Sequence, residues 1–222
     1  MAGSAIRLFV DFDGTAAHDD VGDSIFEAFL LPDLLKQRWH DYIIDEWKAG
    51  KISSFECLIT ECEHTRVTQD ELNRHLDQRT LTPGFTKTVA YCKDNGIPLT
   101  ILSDGMDYYI EYILKKHGIG DVQFKSNHMY FNNGSLGVKF PYEGKGCGRC
   151  GNCKRWHIDT LRQNGETVIY VGDGYSDRYA IRDADIIFAR RDLTEYCLKH
   201  AIDFHEYNDF FDILSYLENG NE

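Results

Sequence analysis

Short apolar runs alternate with helical segments through the last two thirds of this 222-residue chain, and this rhythm constrains the fold more than any other feature. Helical spacing is found over residues 85–95, 108–117, 154–164 and 177–183, and strand-like runs lie at 98–102, 168–171 and 186–188. Asn132-Asn133-Gly134 adds a hairpin signal. The alternation predicts an α/β fold whose Rossmann-like core is a doubly wound parallel sheet.

The region from about Asp19 to Arg79 does not share this rhythm. Its apolar residues recur at helical spacing, and it contains almost no strand-like runs. It follows directly after the first predicted strand, Ile6–Val10. We therefore predict an all-helical cap over residues 18–79, inserted into a core made of residues 1–17 and 80–222.

Charge and composition exclude several functions. The net charge of −12 argues against binding nucleic acid, since polyanions are held by Lys and Arg. No apolar run approaches the ~20 residues that a membrane span needs. Met1–Ala5 lack the basic start and apolar stretch of a signal peptide, and seven Cys is an odd number. We expect a cytoplasmic protein with reduced thiols, and the sequence leaves the oligomeric state open.

Polar side chains follow three of the predicted strands. The carboxyl ends of parallel strands meet at one edge of a sheet, where ligands bind in doubly wound folds. The pattern therefore predicts one crevice built from residues far apart in the sequence. Its members are Asp11 and Asp13, then Ser103, Asp104 and Gly105, then Asp173, with Lys154 opening a nearby helix.

This set suits the hydrolysis of phosphate monoesters, whose uncatalysed reaction is extremely slow. Asp11 would attack phosphorus as a carboxylate nucleophile. Asp13, two residues on, would point the same way if the strand continues, and would protonate the leaving alkoxide. Ser103–Gly105 would hold phosphoryl oxygens, and Lys154 would neutralise charge that develops in the transition state. A carboxylate that approaches a phosphate needs a cation, and Mg²⁺ prefers such oxygen ligands.

The same motifs resemble the haloacid dehalogenase-like superfamily, over nearly the whole chain. The signature of that superfamily is D-x-D-G-T after the first strand, a Ser or Thr after the second, a Lys, and then G-D-x-x-x-D. The matching pieces here are Asp11-Phe12-Asp13-Gly14-Thr15, Ser103, Lys154 and Gly172-Asp173-Gly174-Tyr175-Ser176-Asp177. The cap also lies in the first insertion position of that superfamily.

The resemblance implies a metal site and a reaction class. Mg²⁺ would be bound by Asp11, the backbone carbonyl of Asp13, and Asp173, while Asp177 would act through water or by orienting Lys154. The acid at Asp13 points to a phosphatase or a phosphotransferase, because dehalogenases lack it and ion-pumping ATPases carry Thr. A phospho-ligand-binding module on an inactive core would be favoured if an acid or the Lys were missing, and none is.

Two subgroups with a cap at this position are the phosphoserine phosphatases and the methylthiopentenyl-phosphate phosphatases of methionine salvage. A phosphoserine enzyme would carry an early cap Arg for the substrate carboxylate. This cap has Glu61 and Glu63 there, followed by Arg66. We expect a neutral or cationic ester, with the 2-hydroxy-3-keto-5-methylthiopentenyl-1-phosphate type as one candidate and phosphoserine as the alternative. Three stretches resemble the methylthiopentenyl-phosphate phosphatases: Ser103–Tyr109, Ser126–His128 and Phe188–Arg190. Asp104 departs from this resemblance, because Gly is usual at its position.

Three cysteines at C-x₂-C-x₂-C spacing precede Lys154. Cys147, Cys150 and Cys153 could hold a structural Zn²⁺, with His157 one helical turn later as a fourth ligand. Metal knuckles usually draw on two separated pairs of ligands, so a reduced loop without metal, or a disulfide, is the alternative. His157 is then expected on the surface of its helix.

Overall fold

The computed structural model describes residues 5–219, so residues 1–4, where no export signal is predicted, lie outside the described part. A seven-stranded sheet with the order β4-β3-β2-β1-β5-β6-β7 forms the centre. All neighbouring strands are parallel except β3 and β4, which form the predicted hairpin. The strands are β1 Ala5–Val10, β2 Leu99–Met106, β3 Gln123–Asn132, β4 Ser135–Lys139, β5 Glu166–Gly172, β6 Ile186–Ala189 and β7 His205–Glu206.

Helices cover both faces of this sheet, which confirms the predicted fold class. Successive residues of β1 point to opposite faces. Leu8 belongs to an apolar cluster with Phe85 and Phe210, and Phe9 to a second cluster with Ile158 and Leu193. The core helices are α6 Phe85–Asp94, α7 Asp107–Lys116, α8 Lys154–Leu161, α9 Arg191–His200 and α10 Phe210–Asn219.

The region after β1 is helical, as its periodicity predicts. Two of its helices begin with capping boxes, in which Ser53 pairs with Glu56 and Thr68 with Glu71. The five helices are α1 Val21–Phe29, α2 Pro32–Lys36, α3 Trp39–Lys48, α4 Ser54–Glu63 and α5 Gln69–Leu76. Residues 18–79 as the exact extent of a cap domain remain a prediction.

The chain enters and leaves the helical region at one place. Ala17 and Leu81 form an antiparallel bridge, and the N–H of His18 donates to the carbonyl of Thr80 at 2.9 Å. The Thr82 hydroxyl donates to the carbonyl of Thr15 at 2.6 Å. These contacts hold both ends of the helical region beside the turn that follows β1.

Two local predictions are wrong, and one condition is not met. The first strand ends at Val10, as predicted, but it does not continue to Asp13. Phe12–Ala16 instead form a wide turn, in which Asp13 is extended and Gly14 takes a positive φ of 64°. Residues 177–183 form two 3₁₀ turns instead of a helix, since the Asp177 side chain accepts two backbone N–H groups and tightens the chain. Helix α8 ends at Leu161 rather than Asn164.

Strand β3 is longer than its hairpin signal indicates. Residues 123–127 pair in parallel with β2 before 128–132 pair with β4. Because Lys125, Ser126 and Asn127 are polar, the sequence does not indicate the first half of this strand. Within residues 5–219, no helix combines the length and apolar character needed to cross a membrane.

Candidate active site

Lys154 joins two of the acids at the carboxyl edge of the sheet. Its Nζ lies 2.7 Å from Asp11 Oδ1 and 2.6 Å from Asp177 Oδ1, and it donates to the Ser176 hydroxyl at 2.8 Å. Burial acts to lower the pKa of Lys154, but the two carboxylates outweigh burial and raise that pKa. Lys154 is the first residue of α8, where a cation opposes the helix dipole, and the two acids supply the reason for its position.

Asp177 is fully buried, and both of its oxygens are occupied. Oδ2 accepts the N–H groups of Asp173 and Gly174, each at 3.0 Å, and Oδ1 accepts the Tyr170 hydroxyl at 2.5 Å. Burial acts to raise the pKa of Asp177, yet Lys154 and these hydrogen bonds leave it below its ordinary value. The arrangement suits an acid that orients Lys154 and the turn after β5.

Asp173 follows β5 and faces the turn after β1. Its Oδ1 accepts the Thr15 hydroxyl at 2.9 Å, and its Oδ2 accepts Nη1 of Arg191 at 3.1 Å. Burial and the nearby Asp177 raise the pKa of Asp173 to about 6. Gly14 is needed here for two reasons, because its φ is positive and because a Cβ would collide with Asp173 Oδ2.

Asp13 reaches the same crevice through the turn after β1 and not through a continuing strand. Its Oδ1 accepts the N–H groups of Val21 and Gly22 at 3.0 and 3.2 Å, and its Oδ2 accepts the Tyr109 hydroxyl at 2.7 Å. Val21 begins α1, so the first cap helix is tied to this core acid. Burial raises the pKa of Asp13, and these hydrogen bonds partly offset that effect.

Ser103 and Gly105 line the opposite side of the crevice. The Gly105 N–H donates to Ser103 Oγ at 2.9 Å, and Ser103 Oγ lies 3.4 Å from Asp13 Oδ2. A Cβ at Gly105 would collide with the Tyr109 hydroxyl, so only glycine fits. The Asp104 carboxylate lies on the cleft wall and accepts the N–H of Asn152 at 2.8 Å.

The acids at this edge fit a divalent cation. Carboxylate oxygens of Asp11, Asp173 and Asp177 lie within 4.8 Å of one another. Burial and the charge of Asp177 raise the pKa of Asp11 despite the neighbouring Lys154. Two cations face these three carboxylates, because Lys154 contacts Asp11 and Asp177 and the half-exposed Arg191 contacts Asp173. An ion held by hard oxygen ligands, as Mg²⁺ is, would supply the remaining positive charge.

A cleft of about 320 Å³ lies between the helical region and these acids. It is large enough for a small phosphate ester and has apolar and charged walls. The core side carries the candidate site residues. The helical side contributes Asp20, Gly22, Asp23, Phe26, Ile44, Trp47, Lys48, Ser54, Cys57, Leu58 and Glu61.

One of the predicted cap acids has a partner. His40 Nδ1 lies 2.7 Å from Glu61 Oε1, and His40 Nε2 lies 3.6 Å from Asp23 Oδ1. Burial acts to lower the pKa of His40, but Asp23 and Glu61 raise it to about 10. Glu61 is therefore paired within the helical region, although it also lines the cleft. Glu63 is exposed and does not line the cleft, and neither does Arg66.

Comparison with known proteins identifies the family of this chain. Residues 6–209 match the model of the family described as "Putative Phosphatase". The chain belongs to this family. Together with the fold, this makes it a phosphoric monoester hydrolase.

Two relatives found by sequence comparison are phosphatases. The chain is 30% identical over 223 residues to a 2-hydroxy-3-keto-5-methylthiopentenyl-1-phosphate phosphatase of Bacillus mycoides, with 96% of each chain covered. It is 28% identical over 225 residues to a polyol phosphate phosphatase of Saccharomyces cerevisiae, with 94% of this chain and 90% of the relative covered. These relatives confirm the predicted resemblance.

A solved structure shares the fold. A phosphoserine phosphatase, crystallised as a phospho-aspartyl intermediate analogue, superimposes with a TM-score of 0.70. The match covers 96% of this chain and 99% of that one at 21% identity. It shows a common haloacid dehalogenase-type fold and does not decide between substrates.

The structure of this family member adds contacts by residues to which the sequence analysis assigned no place in the site. Arg190 donates through Nε to the Gly14 carbonyl at 3.1 Å and so fixes the turn after β1, and Arg191 contacts Asp173. Both follow β6 directly, so a basic pair at a strand end was the available signal. Tyr109 contacts Asp13 from α7, and no local pattern indicates that contact.

The three predicted zinc ligands lie together, but His157 does not join them. The sulfurs of Cys147, Cys150 and Cys153 lie within 4.8 Å of one another. His157 is buried, not exposed, and its Nε2 lies 2.6 Å from Asn152 Oδ1. The expectation of His157 on the helix surface is wrong, because α8 packs this side of the helix against the loop before it.

Proposed function

We propose that this hydrolase is Mg²⁺-dependent and cleaves a small phosphate monoester through an aspartyl phosphate on Asp11. The observation that carries the proposal is the position of Lys154, buried between Asp11 and Asp177 at the floor of the cleft. An ammonium in that place can hold Asp11 as the carboxylate and then neutralise charge on a phosphoryl group.

In the first step an Asp11 oxygen forms a bond to phosphorus while the bond from phosphorus to the leaving oxygen breaks. Asp13 donates its proton to that oxygen, and burial keeps its pKa raised for this purpose. In the second step water attacks phosphorus, Asp13 takes a proton from it, and Asp11 is released. Ser103 and the N–H groups that follow it would hold phosphoryl oxygens throughout.

The metal would be held by Asp11, Asp173 and the backbone carbonyl of Asp13. When bound, Mg²⁺ supplies the positive charge that lets a carboxylate approach a phosphate. Both oxygens of Asp177 are already hydrogen bonded, which favours its role in orienting Lys154 over direct contact with the ion.

The walls of the cleft favour a neutral or cationic leaving group. Asp20 and Asp23 line its helical side, where Lys48 is the one Lys or Arg that residues 18–79 contribute to the lining of the cleft. The Arg66 guanidinium instead donates to the Glu63 and Thr65 carbonyls on the surface. On this side a substrate carboxylate would therefore face two acids and a single exposed lysine, Lys48. The methylthiopentenyl-phosphate and polyol phosphate types named for the two relatives are the first candidates.

The test compares kcat/KM for phosphoserine with values for uncharged polyol and keto phosphates, with Mg²⁺ and with EDTA. We expect phosphoserine to be at least about tenfold poorer, since like charges disfavour a wrong ligand. Asp23→Asn should narrow this gap, whereas Glu27→Gln, exposed on the same helix, should not. A tenfold preference for phosphoserine would restore the amino-acid phosphatase. Activity that survives EDTA would rule out the metal, and products formed with added alcohols would identify a phosphotransferase.

A further inference from the structure

The segment Gly144–Cys153, which we call the thiol loop, gathers three sulfurs without regular secondary structure. Cys147 Sγ lies 3.3 Å from Cys150 Sγ, and Cys153 completes the group within 4.8 Å. A disulfide would use two of these thiols and would leave the third beside it. Convergence of all three points to a ligand that takes three sulfurs.

The thiol loop packs tightly around Cys153. Gly146, at a φ of 68°, lies so close that a Cβ there would be 2.5 Å from the Cys153 sulfur and 2.7 Å from its Cβ. The loop thus closes around this sulfur and holds it next to the other two.

The sulfurs also have access from outside. A second cleft of about 320 Å³, separate from the one over the aspartates, is lined by all three cysteines. Exposure falls from Cys147 through Cys150 to the buried Cys153. An ion could enter from the cleft, contact all three sulfurs and keep one position open to solvent.

The thiol loop connects the core with the helical cap. Arg149 Nη2 donates to the carbonyls of Gly50 and Ile52 at 2.7 and 3.2 Å. The Gly151 N–H donates to the Ser54 hydroxyl at 2.9 Å, and the Ser54 N–H donates to the Arg149 carbonyl at 3.0 Å. The loop that joins α3 to α4 therefore rests on the thiol loop.

On its other side the thiol loop is anchored beside the active site. Asn152 is buried, and its Nδ2 donates to the carbonyls of Ser103 and Lys125 at 2.7 and 2.8 Å. Its Oδ1 accepts the His157 ring N–H. Two residues later comes Lys154, so the conformation of this loop sets where that ammonium lies.

We propose that Cys147, Cys150 and Cys153 bind one zinc ion, which fixes the thiol loop against both the cap and Lys154. Three sulfur–zinc bonds form, and the three thiol protons are released to solvent. Thiolates select a soft ion, so this site is chemically distinct from the oxygen site for Mg²⁺.

The test begins with metal content. Protein purified under reducing conditions is exposed to Zn²⁺, freed of excess ion, and analysed for bound zinc. We expect one zinc per chain, and Co²⁺ in its place should give sulfur-to-metal charge-transfer absorption. Cys147→Ser should lower zinc affinity at least about 100-fold, since even outer partners of a metal site change affinity about 10–100-fold. Cys92→Ala, a buried thiol outside the group, should leave zinc binding unchanged.

Hydrogen exchange tests whether zinc fixes the thiol loop against the cap. Mg²⁺ is kept in excess so that the aspartate site is unaffected. Removal of zinc by a zinc-selective chelator should speed exchange about tenfold in residues 144–153 and 50–54. Absence of bound zinc in reduced protein, or a Cys147–Cys150 disulfide in its place, would overturn the proposal. Unchanged exchange in residues 50–54 would refute the proposal that zinc fixes the thiol loop against the cap. Cys147 is exposed, so its variant tests binding even if Cys153→Ser does not fold.

Discussion

Two clusters of charged side chains lie beside the cleft, one in the core and one in the cap, and they are built differently. In the core, Lys154 contacts Asp11 and Asp177, and Arg191 contacts Asp173. Oxygens of these three carboxylates lie within 4.8 Å of one another. In the cap, Asp23 and Glu61 lie on the two sides of His40. The imidazole thus separates the two cap carboxylates, whereas the three core carboxylates converge, and convergent oxygens suit a metal ion.

The largest loss of activity is expected when the predicted nucleophile of the core group is removed. Asp11→Asn should lower kcat by at least about 10³-fold, on the scale of losing a catalytic nucleophile. The fold should persist, because the change removes a carboxylate whose pKa burial already raises. Phosphate release and circular dichroism would be measured, with Asp192→Asn at the cleft rim as the control. Residual turnover within tenfold of the wild type would contradict the covalent mechanism.

A second variant separates proton transfer from nucleophilic attack. Asp13→Asn should lower kcat by about 10²–10⁴-fold for an alkyl phosphate, the usual range for general acid catalysis. An aryl phosphate should lose much less, because its leaving oxygen needs little protonation. The ratio of the two losses is the measurement. Equal losses on both esters would remove Asp13 from the acid role.

The convergence of carboxylate oxygens in the core group predicts a metal-dependent stability. Mg²⁺ should raise the melting temperature of the wild type, because a ligand present at 100 times its Kd adds about 2.7 kcal/mol. Asp173→Asn should reduce that rise and increase the Mg²⁺ concentration needed for half-maximal activity. Asp192→Asn, again the control, should change neither. A melting temperature that ignores Mg²⁺ in the wild type would contradict a metal site among these acids.

The two clusters also differ in how far the sequence predicts them. Asp11 and Asp173 each follow a strand, and Ser103 lies in the carboxyl-terminal half of β2, which extends beyond the predicted end at Leu102. Parallel strands bring their carboxyl ends together whatever the distance in sequence. Sheet topology thus positions the core acids, and the predicted strands were enough to find them. The turn that carries Asp13 was not predictable, because it depends on the close approach of Gly14 to Asp173.

The contacts within the cap cluster could not be predicted from the sequence. His40, on α3, meets Glu61, on α4, and Asp23, on α1, only because three helices pack together. Helical periodicity predicts that each helix exists and which face is apolar, but it does not specify which partners meet. The thiol loop illustrates the same limit. Its spacing predicted three converging sulfurs, whereas its hydrogen bonds to Gly50 and Ile52 follow from tertiary packing alone.

The smallest effect on activity is expected at the cap cluster. His40→Asn should lower the free energy of unfolding by about 1–3 kcal/mol, the cost of a buried group that loses its partner. Glu61 can limit this cost by taking up a proton, because burial already raises its pKa. Turnover should stay within about threefold, since among the described residues no hydrogen bond or ion pair joins His40 to the acids of the core. His200→Asn, exposed at the end of α9, is the control.

The pH dependence of this loss identifies its cause. The pKa of His40 is raised from 6.5 to about 10 in the folded protein. Its charge therefore contributes stability that is fully present below about pH 6.5 and is lost as the pH rises towards 10. Urea unfolding of the wild type and His40→Asn should differ most near pH 6 and converge as the pH approaches 10. A difference independent of pH would show that His40 acts by packing, and the cap would then hold no charged counterpart to the Lys154 site.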